Sequence, residues 1–485
     1  MTDTTVKPVR PLTRSMGLVG VLFLALSATT PASSVFVVVP DVLAQAGSGA
    51  LISMLAAALV AVCMAGVYGE LGSAFPLAGG EYAIVGRTLG PLPGFVVMGL
   101  NLTNSLFGSA VLSLGVADYL GAAIPGLQPV PVALGVILCA TLLGVLNIRT
   151  NALVTGGFLL VEILALVVLA ALGFQHAHRS PMALLLQPQV LSGGVLSAAP
   201  IAALGLAVAV ATFAYDGYGG ALYFAEELND APRRVGRAIV IALLVTVAAE
   251  AIPLTAVLVG APDLAHLLGA KSMFLDFIAG ASGHGVALVL GLAIALAIVN
   301  AVIAIVLLTA RQLYALGRDE TWPGPVNGFL AKVHPRFGSP WAATLVTGAL
   351  CCALSFAPLK LLLIATGTSV AIVYAFLCLG LIAGRRSGAT RHGVFRLFGF
   401  PFTPLIALAA LVGVLWSDWI DPAEGRTGLY AAIGVAAISA AYFMLVLQRR
   451  GWVLRGPSDQ AFDSPLAAGQ LPGAGLSPKD RADAG

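Results

Sequence analysis

The chain has 485 residues, of which 59% are hydrophobic and only 10% charged, with a formal net charge of +3 and a mean hydropathy of +0.97. A soluble globular chain is nearer about 25% charged, so composition excludes a water-soluble fold and requires lipid as the main solvent. The small net charge gives no reason to expect a nucleic-acid partner.

The chain opens with Lys7, Arg10 and Arg14 ahead of an apolar stretch and the small residues SATTPASS (27–34). That order resembles a secretory signal with its cleavage site, but a second apolar run follows at once, so an uncleaved first span is expected. A hydrocarbon core of about 30 Å needs roughly 20 apolar residues as helix. Twelve such runs follow one another near 16–44, 49–73, 91–121, 129–147, 151–174, 197–228, 237–260, 285–314, 340–357, 359–383, 400–417 and 428–447. Backbone polar groups in lipid must bond within their own segment, so the runs are predicted to be helices. The resulting expectation is an all-α integral membrane protein. Residues 1–15 form a cytoplasmic segment, 16–447 a twelve-helix domain, and 448–485 (rich in Gly, Pro and Asp) a disordered cytoplasmic tail. With the N-terminus inside, every Lys and Arg except Arg179, Lys271, Lys360 and Arg426 falls on the cytoplasmic side, as the positive-inside rule requires. Cys63, Cys139, Cys351, Cys352 and Cys378 lie in apolar runs without CxxC spacing. They read as small reduced core residues, with no disulfide framework and no metal site.

Two runs carry polar breaks. In run 1, LSATTPASSV (26–35) puts Pro31 among five hydroxyl residues. Proline lacks an N–H and disrupts the preceding turn, and Thr29, Thr30, Ser33 and Ser34 can bond the freed groups. Unwound backbone at membrane depth is tolerated only inside protein or beside a cavity. In run 6, TFAYDGYGGALYF (212–224) sets Asp216 among Gly217, Gly219 and Gly220. A carboxylate at mid-bilayer costs roughly 2.5–3.5 kcal/mol on insertion scales, which marks Asp216 as a functional candidate; capping a broken helix end is the alternative. Breaks at corresponding places in two halves point to a transporter with inverted repeats and a midplane site. Half-helix N-termini suit a substrate carboxylate, and unwound carbonyls with Asp216 suit an ammonium.

With these motifs the chain resembles the amino acid–polyamine–organocation permeases. The resemblance rests on SATTPASS, FPLAGGEYAIVGRTLGP (75–91), LNIRTN (146–151), FAYDGYGGALYFAEELNDAPRR (213–234) and ARQLYALGRD (310–319). It implies ten core helices in a five-plus-five inverted repeat (about 16–174 and 197–383), two peripheral helices (about 400–447), and substrate held between helices 1, 3, 6, 8 and 10. It further implies that Thr30, Ala32, Ser33 and Ser34 form a carboxylate-binding break and that Phe213 is an aromatic lid. Ala214, Tyr215, Asp216 and Gly217 would form an amine-binding stretch. On run 3, Asn101, Asn104 and Ser105 share a helical face. They line the site or bond between helices, and Asn300 in run 8 has the same two readings.

No GxxxxGK[ST] motif is present, so ATP is not the expected energy source. Run 8 lacks the hydroxyl pair of sodium-coupled relatives, and run 5 lacks the lysine of some sodium-independent ones. Run 5 instead carries Glu162, a proton carrier or a structural glutamate; Glu250 in run 7 ranks below it. Glu226 and Glu227, near Arg311, are either a cytoplasmic gate or a solvated helix end. His176 and His178 read as solvated loop residues. The leading expectation is a secondary permease for amino acids in the inner or plasma membrane, with both termini cytoplasmic. It works by alternating access, coupled to protons or to exchange, without a cofactor. A polyamine or cationic-amine importer is the alternative. A membrane-embedded enzyme or receptor would want a catalytic cluster, and none is evident in the sequence.

Overall fold

The computed structural model describes residues 12, 14–121, 124, 126–270, 272–422, 425–452 and 454. Lys7, Arg10 and Lys271, and the tail from residue 455, lie outside the described residues. Each of the twelve predicted runs holds a helix. Nine helical stretches among the described residues are long and apolar enough to cross a membrane; one of them, Leu18–Ala74, contains runs 1 and 2 together. Runs 4 (Pro129–Val145) and 9 (Trp341–Leu354) are shorter apolar helices.

The helices sort their faces by lipid and protein. In run 5 (Ile148–Gln175), Leu153, Leu160, Leu164 and Val167 point outward, while Thr155, Leu159, Glu162, Leu166 and Leu169 are buried. Both stripes follow three- and four-residue steps, as one helix with two different neighbours demands. Run 1 sits at the centre and packs against runs 5, 7 and 8 and the second half of run 6. Run 3 packs against runs 8, 10 and 12. Runs 5 and 7 cross where Gly173 meets Gly260, close enough that a Cβ on Gly260 would sit 2.3 Å from the Gly173 carbonyl oxygen. Small residues at such crossings let membrane helices approach and gain van der Waals contact.

Two expectations need correction. The all-α reading misses a hairpin, Gln189–Ser192 paired with Val195–Ala198. Its turn is Gly193–Gly194, both at positive φ, as the favoured two-residue hairpin loops require. Cys139 is exposed rather than a core residue, because it lies on the outward face of run 4 beside Leu138 and Leu142. Of the two readings of Glu226 and Glu227, the solvated helix end is the one that drops out: both are buried, because two arginines of run 8 reach them. Helices absent from the prediction also appear between runs, including Glu81–Thr88 and Met273–Ser282.

Candidate functional site

Run 1 begins as the helix Leu18–Thr29 and breaks at Thr30, which takes a left-handed conformation (φ 47°, ψ 70°). Pro31 opens the next short helix, where its missing N–H costs nothing. A π-helical turn, Ser34–Val38, follows before the helix Val39–Ala46. The hydroxyls do what the sequence suggests: Thr29 Oγ1 donates to Ala25 O at 2.9 Å, and Thr30 Oγ1 donates to Ser33 Oγ at 2.8 Å.

Run 6 is α-helical over Ile201–Ala214, turns through Tyr215–Gly217, and continues as a 3-10 helix over Tyr218–Glu227. The two breaks touch. Ser34 Oγ donates to Ala214 O at 2.8 Å. Gly217 has φ +113°, and a Cβ there would lie 2.7 Å from Thr29 Cα and 2.9 Å from Ala28 O. Backbone on both sides leaves no flexible atom to yield, so Gly217→Ala is expected to lower the melting temperature and cut uptake more than tenfold. Wild-type values for both in purified protein would show that this contact is dispensable.

A cavity of about 360 Å³ opens beside the breaks. Its wall holds Asp216, Glu81, Tyr68, Tyr223, Tyr374 and Asn101, with Asn104, Ser105, Phe213 and Gly217 also lining it. Asp216 Oδ1 accepts from the Tyr374 hydroxyl. Glu81 accepts from Tyr68 OH at 3.0 Å, from Asn101 Nδ2 at 2.9 Å and from Tyr223 OH. Asn101 therefore both bonds between helices and faces the cavity. Gly80 (φ +59°) lets the chain reach Glu81 directly against the Tyr223 ring, 2.6 Å from where a Cβ would stand. No Lys, Arg or His lines the cavity among the described residues. Two carboxyl groups thus face a common space with only neutral donors around them.

Phe213 lines this cavity and also a second one of about 830 Å³, which holds Asp41, Gln45, Asp418 and Asp421. It is common to the walls of both spaces. At the opposite end of run 1 the structure is sealed. Arg311 makes a two-point pair with Glu227, donating also to Leu307 O at 2.8 Å and lying over the Phe224 ring. Arg318 Nη1 donates to both Glu226 oxygens, at 2.8 and 3.0 Å, and its Nε to Asp319 at 3.1 Å. Tyr82 donates to Asp319. The amides of Ser15 and Met16 donate to Glu227 O at 3.0 Å. This seal joins runs 1, 6 and 8 to the helix Glu81–Thr88, which begins within GGEY.

The remaining candidates stand behind run 1, away from the cavity wall. Glu162 Oε1 accepts from Ala32 N at 2.8 Å and from Thr30 Oγ1 at 3.4 Å. Asn300 Nδ2 donates to Ser27 Oγ at 2.9 Å. Glu250 and Tyr215 are buried beside the break. Glu81, Tyr68, Tyr223 and Tyr374 were not legible as site residues. GGEY was the available signal for Glu81, while single tyrosines in apolar runs read as ordinary core.

The amino acid permease family profile matches residues 16–441. An uncharacterized transporter of Mycobacterium tuberculosis is 28% identical over 416 residues, covering 83% of this chain and 90% of its own. A branched-chain amino acid permease of Bacillus subtilis is 24% identical, covering 85% and 90%. A low-affinity putrescine importer of Escherichia coli is 24% identical, covering 78% and 83%. With its family match over most of its length, this chain belongs to the amino acid permease family.

Proposed function

We propose that this permease is a twelve-span secondary transporter, built as a five-plus-five inverted repeat with two peripheral helices, that takes up a small cationic amine by alternating access. One observation carries the substrate class: Asp216 and Glu81 face one cavity that no basic side chain lines among the described residues. Buried charges are stable when paired, and an ammonium supplies the missing partner. Asp216, with one hydroxyl donor, has lone pairs left for it, while the three donors on Glu81 hold that carboxyl in place.

The zwitterion reading rests on the broken first helix, whose amides would bind a substrate carboxylate, and on the named function of the Bacillus relative. Against it, the Ala32 amide is already taken by Glu162, so a substrate carboxylate would have to displace a protein one. The sealed end, with Arg311, Arg318 and their carboxylates, is assigned to the cytoplasm by the positive-inside pattern. The acidic cavity outside Phe213 is then the extracellular entry. Glu162, bonded to the break itself, is the proposed coupling residue.

Reconstituted liposomes with an inward proton gradient test the substrate class. Labelled diamines and their carboxylated counterparts (1,4-diaminobutane against ornithine, 1,5-diaminopentane against lysine) are offered in parallel. The amines are expected to accumulate and their carboxylated forms to compete at least tenfold less well. Preferential uptake of neutral zwitterions would overturn the amine reading.

A further inference from the structure

The buried carboxyl of Glu250 has no part in the cavity just described. Its helix, Ala231–Gly260, runs continuously through Pro253, and its side chain faces Ser34 and Glu162 from the run 7 side. Ser34 does not bond it, because that hydroxyl is directed to Ala214 O at 2.8 Å. Both Glu250 oxygens are buried without a partner, as are Glu162 Oε2 and Tyr215 OH. Glu162 reaches the same break from run 5. The titratable groups that face Glu250 are Glu162 and Tyr215, and no Lys, Arg or His lies against either carboxyl among the described residues.

An ionised carboxylate is acceptor-only, and each buried oxygen then needs a donor. Here three carboxyl oxygens have none among the described residues. A carboxyl proton turns an orphan acceptor into a donor, and the acceptors beside the pair are the other carboxyl, the hydroxyls of Ser34 and Tyr215, and the orphaned Asn300 Oδ1 next to Glu162. The Ser34–Ala214 bond, which ties the two breaks together, lies beside Glu250, one of the two carboxyls. Any movement of run 6 on substrate binding therefore changes what Ser34 offers to them. Resting on the transporter reading above, we propose that Glu162 and Glu250 are two stations of one proton path across the run 1 break. In each cycle a proton from the outer solution protonates one carboxylate, passes to the other carboxylate, and is released to the inner solution, so both carboxyls end the cycle in the state in which they began it. No bond other than O–H is made or broken. In this scheme Asp216 holds the substrate, and the pair behind run 1 carries the driving ion.

The test uses the full chain in liposomes carrying an internal pH dye, with three readouts: gradient-driven uptake, substrate-induced proton entry and substrate counterflow at equal pH. Glu162→Gln and Glu250→Gln are each expected to lower proton entry and uphill uptake at least tenfold while retaining counterflow within about threefold. Gradient-driven uptake with wild-type proton entry in Glu250→Gln overturns the proposal. So does loss of counterflow in that variant when it is folded, because Glu250 is then needed for movement itself rather than for coupling. If the Gln variant does not fold, Glu250→Asp takes its place. It keeps a carboxyl at shortened reach, and the pH at which uptake is half-maximal is expected to shift; an unchanged profile overturns the proposal. Failure of the wild type to move amines in counterflow would count against the substrate reading. Normal counterflow with no proton entry in the wild type would overturn proton coupling while leaving the substrate reading intact.

Discussion

Asp216→Asn is expected to abolish measurable uptake of cationic amines while leaving the carrier folded. The size follows from the site. An ammonium brought out of water between Tyr374, Phe213 and the run 6 break has Asp216 as its anionic partner at the break. Removing one member of a buried charge pair costs about 3–5 kcal/mol, since the other is left buried and unpaired. That corresponds to a Kd weakened by roughly two to four orders of magnitude. The empty protein has the opposite interest. A carboxylate without a cation is expensive at this depth, and asparagine still accepts the Tyr374 hydrogen bond. The melting temperature of the unliganded variant should therefore equal or exceed that of the wild type. Binding of a labelled diamine to purified protein, measured beside a thermal melt, checks both halves. Retained affinity would move the ammonium site away from Asp216.

The second large effect belongs to the seal. Arg311 and Glu227 are both buried, and Arg311 spends its donors on that carboxylate and on Leu307 O. Arg311→Met leaves Glu227 without its cation, and the expected loss is again about 3–5 kcal/mol. A solvated pair would lose no more than about 1 kcal/mol, so the melting temperature of the variant separates these cases. The double variant Arg311→Met with Glu227→Met should recover much of the lost stability, because apolar replacement of a whole buried pair is often neutral or better. It should nevertheless transport poorly. Arg318, Glu226, Asp319 and Tyr82 keep their own bonds, but the clamp between runs 6 and 8 no longer forms and breaks with the cycle. A double variant with wild-type uptake would mean that Arg311 and Glu227 serve stability alone.

Most of the helical scaffold was legible because lipid leaves few choices: long apolar runs must be helices, and their limits are set by Pro, Gly and charge. The breaks were legible for a related reason. Pro31 among hydroxyls and Asp216 among glycines make no sense on a lipid-facing helix. What the sequence concealed is how the two breaks share their neighbours. Nothing in TTPASS distinguishes an amide open to substrate from one held by Glu162, because that depends on how run 5 is rotated. Nor does GGEY alone reveal that Glu81 faces the cavity, which follows from the close approach of Gly80 to Tyr223. Glu226 and Glu227 stayed open between a gate and a solvated helix end because their arginines lie more than eighty residues away in sequence. The Gly-Gly hairpin at 193–194 did carry a local signal, but it sits in a polar connection between two strongly apolar runs.

The central claim is that the touching breaks of runs 1 and 6 hold an ammonium at Asp216 while Glu162 keeps the Ala32 amide. An experimental structure of the protein soaked with 1,4-diaminobutane measures this directly. The account predicts a ligand nitrogen within hydrogen-bonding distance of Asp216, in the cavity inside Phe213, with the Glu162 to Ala32 bond unbroken. A ligand carboxylate seated on the Ala32 amide in a parallel amino acid complex, with Glu162 displaced and no diamine in the cavity, would contradict it.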